Sequence, residues 1–184
     1  MVSLKHEIHS YFERLFKRLR NENKKRPIVS NLKGDKNIVL TSAPDDGGWS
    51  EWQPVEKSER TSFEPLETKY GITFHKDIKD YYNQYWFYEI YGKIYIEAQK
   101  RNDIVELERV LPNRELKDLE AHIGQYYWGR DLMNFYMVPI GLVQNLFVVV
   151  DNNTGEVFLD DHLELGVFTK IADNIAALIG RLEP

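Results

Sequence analysis

The chain reads as an α+β protein, an antiparallel-rich sheet flanked by helices and folded as one domain over residues 1–184. Three observations carry this reading. Apolar residues recur at helical period near both ends. Between them, short alternating runs are joined by turn signals rather than by long crossovers. With 42% apolar and 29% charged residues over 184 positions, the chain has the balance of a globular domain that buries a core without a staple. It has no cysteine, which removes disulfides, zinc–thiolate sites, iron–sulfur clusters and thiol nucleophiles and suits a reducing compartment.

Ile8, Tyr11, Phe12, Leu15, Phe16 and Leu19 form one stripe, so a basic amphipathic helix is expected over 3–26, capped by Ser3 and stopped by Pro27. Its wide aromatic stripe suits core packing better than lipid. A short strand at Ile38–Leu40 and a polar loop follow, with a turn at Asp45-Asp46-Gly47-Gly48. Trp49 and Trp52 come next on opposite faces, which leaves one of them exposed. Pro65 starts a helix that ends at Gly71, and a second begins near His75 with Ile78, Tyr81, Tyr82 and Tyr85 on one side. The alternation of Trp86–Tyr91 and Ile94–Ala98 around Gly92-Lys93 reads as a hairpin. Asn113 opens an amphipathic helix through Leu116, Leu119 and Ile123. Strands are expected at 135–140, 144–151 and 156–159, the last two joined through Asn152–Gly155, and a final helix runs from Phe168 to Leu182.

The apolar window Leu132–Val150 is interrupted by Pro139, Gly141, Gln144 and Asn145 and is rich in valine. Two buried strands and a turn account for it better than a membrane-spanning helix, which would leave polar groups in hydrocarbon. The start of the chain carries no signal-peptide pattern. No internal repeat or linker divides the sequence.

Charge is split. Residues 1–40 hold ten Lys/Arg against four Asp/Glu and the remainder 14 against 25, which together give the net −5. An acidic body behind a basic helix repels phosphate backbones and favours a partner with a basic surface, so nucleic acid is not expected.

Motifs for chemistry are missing: no phosphate loop, no nucleophile elbow, no paired metal histidines. Asp160-Asp161-His162 is the one cluster that would support an acid–base or cation role, but neighbouring strand residues face opposite ways. No cofactor and no metal are expected. What remains is a surface of aromatics beside acids, at Trp49/Glu51/Trp52, Tyr88/Glu89 and Tyr95/Glu97.

The order of features resembles the SecY-interacting Syd family within the wider SUKH superfamily. The matching pieces are the basic first helix, Trp52-Gln53-Pro54, Phe63–Gly71 leading into His75–Tyr82, the strand ending near Glu97, the turn from Val148–Asn152 to Gly155–Val157, and the closing helix with Ala172, Asn174, Ile175 and Ala176. The resemblance implies an α+β fold, no enzymatic activity, a cytoplasmic place with peripheral attachment to the membrane face, and docking of a concave acidic surface on basic cytoplasmic loops of the SecY channel. The wider superfamily implies an alternative, an immunity protein that neutralises a basic, nuclease-like toxin domain. On either reading Trp52, Tyr88, Glu97, Asp160 and Asp161 are expected to face the partner, with Glu51 and Glu164 adding to the field.

Overall fold

Ser3 begins the first helix, its side chain accepting from the His6 N–H at 3.3 Å. The computed structural model describes residues 3–34, 36–128, 136–160 and 167–184. Helix α1 (Leu4–Asn21) buries Ile8, Tyr11, Phe12, Leu15 and Leu19, so its stripe is core. It ends five residues before the expected stop at Arg26. Asn23 takes a left-handed backbone (φ 57°) and turns the chain out ahead of Lys24-Lys25-Arg26.

Strands β1 (Ile28–Ser30) and β2 (Trp49–Glu51) pair as a small antiparallel ribbon. The expected strand at 38–40 is instead a turn. Asn37 Oδ1 accepts from the Val39 N–H at 2.9 Å while the Asn37 carbonyl accepts from Leu40 N–H. A side chain that closes a turn on its own backbone outcompetes ladder formation, and only an isolated Leu40–Trp52 bridge survives. Strand β3 (Val55–Glu56), α2 (Glu64–Tyr70) and α3 (Lys76–Gln84) follow, and β4 (Tyr85–Trp86) returns to pair with β3. As expected, α2 carries Pro65 in its first turn and ends on left-handed Gly71, and α3 buries Ile78, Tyr81 and Tyr82.

The main sheet is an antiparallel meander of β5 (Ile90–Ile96), β6 (Arg101–Leu107), β7 (Met137–Val143), β8 (Leu146–Asp151), β9 (Val157–Asp160) and β10 (Phe168–Ala172), in that spatial order. Helix α4 (Glu115–Tyr126) lies between β6 and β7 in the chain and packs on β7, and α5 (Ile175–Arg181) packs on α1. The valine-rich window is β7 and β8, turning at Gln144-Asn145 with Gln144 at φ 53°. Among the described residues no helix is long and apolar enough to cross a membrane.

The sequence reading failed at two other places. Gly92-Lys93 is not a turn but the middle of β5, and the hairpin closes later, at Glu97–Gln99, onto the unforeseen strand β6. Gly92 is there because a Cβ would sit 2.7 Å from the Glu183 carbonyl oxygen, so a close backbone approach explains the glycine. Phe168 and Ile171 belong to β10, and the last helix starts only at Ile175, where Asn174 accepts from the Ala177 N–H.

The outer edge of β5 is closed group by group. Tyr11 Oη donates to the Tyr91 carbonyl at 2.7 Å and accepts from its N–H at 3.0 Å. Lys93 exchanges both backbone bonds with Glu183. The Arg181 guanidinium donates to the Tyr95 carbonyl at 3.0 Å and to the Ile171 carbonyl of β10 at 2.6 Å. One side chain thus touches both terminal strands of the meander, so the sheet must curl round to bring them together. Arg181→Ala is expected to lower stability by about 1–2 kcal/mol in chemical denaturation, because two charge-assisted bonds are lost at a partly exposed site.

A buried ion pair anchors α4. Lys57 Nζ lies 2.7 Å from Glu115 Oε1, with both side chains almost fully enclosed. The Thr61 hydroxyl and the Tyr82 carbonyl accept from Lys57 at 2.8 and 3.0 Å, and Trp86 Nε1 donates to Glu115 at 3.0 Å. Burial opposes ionisation of Glu115, but the ammonium and the indole N–H outweigh it and hold its pKa below the ordinary carboxylate value.

Candidate functional site: an acidic groove on the open end of the sheet

Strand register lines up one residue from every strand. Tyr91 stands opposite Glu106, Glu106 opposite Leu142, Leu142 opposite Phe147, Phe147 opposite Asp160, and Asp160 opposite Phe168. Cross-strand partners share a face, so this row crosses the whole sheet on the side where α4 packs. Helix α4 covers the Phe147–Asp160 end. The Tyr126 ring stacks edge-on against Phe147 with centroids 5.1 Å apart, and its hydroxyl donates to Asp160 Oδ2 at 2.5 Å. The Tyr91–Glu106–Leu142 end is left uncovered and forms an open groove of about 740 Å³ between β5–β6 and α4.

The two walls of the groove differ in charge compensation. On the α4 wall, Asp118 lies 3.3 Å from Arg109 Nε and 3.0 Å from Arg114 Nη2, and Glu108 lies 2.9 Å from His122 Nδ1. On the β5–β6 wall stand Glu89 and Glu106, for which no cation lies within ion-pair distance among the described residues. Burial raises the pKa of Glu89 above the ordinary value, the Glu106 charge raises it further, and Arg18 offsets part of this. Tyr88 and Tyr91 complete that wall. Arg18 Nη2 donates to the Tyr91 hydroxyl at 2.8 Å and Asn37 Nδ2 to the Tyr88 hydroxyl at 2.7 Å, which fixes both rings.

Of the residues expected to face a partner, Tyr88 lies in this groove. Glu51 lies beside it, in a neighbouring cleft that shares Glu89 and Tyr91 with the groove. Glu97 is exposed at the far end of β5, about 20 Å of strand from Ile90. Trp52 must be corrected, because its side chain is 0% exposed and packs between Phe12 and Tyr88 at 6.1 and 5.9 Å. Trp49 is the exposed partner of the pair, at 46%. Asp160 must be corrected too: strand parity places it beneath Tyr126, fully buried. Asp161 and Glu164, with His162, lie outside the described residues.

Glu106 and Glu108 were missed because β6 itself was missed. The available signal was the alternation of Val105 and Leu107 with Glu106 and Glu108, which sets these two acids on the face opposite the buried one. Among the described residues no group of three His, Asp or Glu side chains could hold a metal ion.

Fold and groove together define a mixed α+β protein whose concave, acidic, tyrosine-walled surface sits on the sheet itself. The family model described as Syd protein (SUKH-2) matches residues 5–184, and the chain belongs to that family. It is also similar to Protein Syd of Pseudoalteromonas atlantica (strain T6c / ATCC BAA-1087), with 26% identity over 146 residues, 77% of this chain and 74% of that protein.

Proposed function

We propose that this chain is a non-enzymatic adaptor whose groove docks on a basic polypeptide segment, the cytoplasmic loops of the SecY channel, at the membrane face. The observation that carries this reading is the Glu89–Glu106 wall, where neither acid has an ion-pair partner among the described residues and Arg18 offsets only part of the Glu89 charge. A carboxylate kept partly out of water beside a second acid disfavours its own ionised form, and an arriving lysine or arginine relieves both. Tyr88 and Tyr91, already fixed by hydrogen bonds, supply aromatic area with little further loss of side-chain freedom. The same field opposes a phosphate backbone.

Calorimetry with the channel's cytoplasmic loop peptides tests it. Binding is expected to weaken steeply as salt rises, and Glu89→Gln with Glu106→Gln is expected to lower affinity at least about tenfold, one unit of charge-pair energy being of that order. Binding that ignores both salt and the double substitution overturns the reading. A basic toxin domain serves as the competing partner in the same titration, and tighter binding with protection of cells would replace the channel.

Stability makes an independent check. A carboxyl whose pKa is raised by folding is protonated more readily in the folded chain, so its contribution favours folding as pH falls and is lost as pH rises through the folded pKa. Above the folded pKa the Glu89 charge therefore subtracts from stability. Glu89→Gln is expected to leave the melting temperature unchanged or raised while binding falls, as a site residue and not a structural one would do.

A further inference from the structure

A second surface, bordering the groove at Glu89 and Tyr91, combines exposed apolar side chains with cations. In the β1–β2 ribbon Ile28 stands opposite Glu51 and Ser30 opposite Trp49, so Ile28 and Trp49 are diagonal neighbours on one face. Ile28 is 54% exposed, and Leu32, lying over Gly48 next to Trp49, is 81% exposed. The apolar stripe of α1 is committed to the core, so it is the ribbon and not the helix that offers apolar groups here. Lys24, Lys25 and Arg26 line a cleft of about 390 Å³ beside Ile28, and Lys33 follows Leu32 directly. The acids nearby are Glu22, which pairs with Lys24 at 2.8 Å, Glu51 and Glu89, which line the same cleft, and Asp46 and Asp45, of which Asp45 is turned onto its own loop, accepting from the Gly47 and Trp49 N–H groups at 2.9 Å.

We infer that the β1–β2 ribbon, through Ile28, Leu32 and Trp49 with Lys24, Lys25, Arg26 and Lys33, is a docking surface for an anionic lipid bilayer. Leucine and isoleucine standing out from the surface enter the acyl boundary, tryptophan settles at the headgroup level, and the lysines meet lipid phosphates. Each cation near an anionic leaflet contributes modestly, so binding is reversible and sensitive to salt. The surface shares Glu89 and Tyr91 with the rim of the acidic groove but none of the groove's other acids, Glu106, Glu108 and Asp118.

Co-sedimentation of the full chain with phosphatidylglycerol–phosphatidylcholine vesicles, without any partner protein, tests it apart from the groove's function. The chain is expected to bind these vesicles at low salt and not pure phosphatidylcholine. Leu32→Asp, at a side chain too exposed to affect folding, and Lys25→Glu are each expected to cut the bound fraction about tenfold or more. In a Trp128→Phe background, vesicles are expected to shift tryptophan emission to the blue, and adding Trp49→Phe is expected to abolish the shift. No binding to anionic vesicles, or binding that Leu32→Asp and Lys25→Glu leave intact, overturns the assignment. So does a concentration-dependent dimer, seen without lipid and removed by Leu32→Asp, because the ribbon would then be covered by a second copy.

Discussion

Lys57→Ala is expected to destabilise the fold by about 3–5 kcal/mol, since it strands the Glu115 carboxylate in the interior without its cation. The pair touches the loop before α2, the end of α3, β4 and the start of α4, so its loss loosens the wall that α4 gives the groove. Lys57→Met combined with Glu115→Leu is expected to recover most of the loss, because removing both charges also removes both desolvation penalties. Urea denaturation of wild type, Lys57→Met, Glu115→Leu and the double variant completes the cycle. A single substitution within about 0.5 kcal/mol of wild type would show that the pair carries no weight. The pH dependence has a definite sign. Glu115 is held below its unfolded pKa, so its contribution is fully present above the unfolded carboxylate range and is lost as pH falls through the folded value. Asp80, which burial disfavours as an anion but Lys76 and Arg60 hold below the ordinary value, adds to the same acid limb.

Trp52→Ala is expected to cost about 3–5 kcal/mol, through a cavity between Phe12 and Tyr88 at the centre of the core. Trp52→Phe keeps a ring in that space and is expected to cost clearly less. Trp49→Ala, on the exposed side of the ribbon, is expected to stay within about 0.5 kcal/mol. Thermal melts of the three chains separate these cases. Loss of partner binding in Trp52→Ala would therefore report a collapsed scaffold under Tyr88 rather than a lost contact, and a Trp52→Ala chain as stable as wild type would overturn the core assignment.

The contrast between these two tryptophans shows what was legible. Alternation correctly set Trp49 and Trp52 on opposite faces, but which face is core depends on α1, 40 residues away in sequence. Helices α1, α2, α3 and α4 and strands β7 to β9 carried their own periodicity, caps and turns, so local physics sufficed for them. Gly92 misled because a glycine kept for close packing and a glycine kept for a turn are the same residue in a sequence. Asp160 misled in the same way: an acid at a strand end looks solvated until a distant tyrosine is folded over it. The groove was half legible. Tyr88 beside Glu89 was visible as an aromatic–acid pair, whereas Glu106 joins them only through strand register. No spacing along one chain encodes that register.

The closed edge of β5 bears on how anything can be recognised here. Tyr11, Glu183 and Arg181 occupy backbone groups that a guest strand would need, so β-augmentation at this margin is blocked by the protein's own atoms. A visitor to the neighbouring groove must be read through side chains alone. Its affinity then resides in charge and aromatic stacking, which ionic strength can dissolve quickly, and a contact of that kind suits repeated arrival and departure.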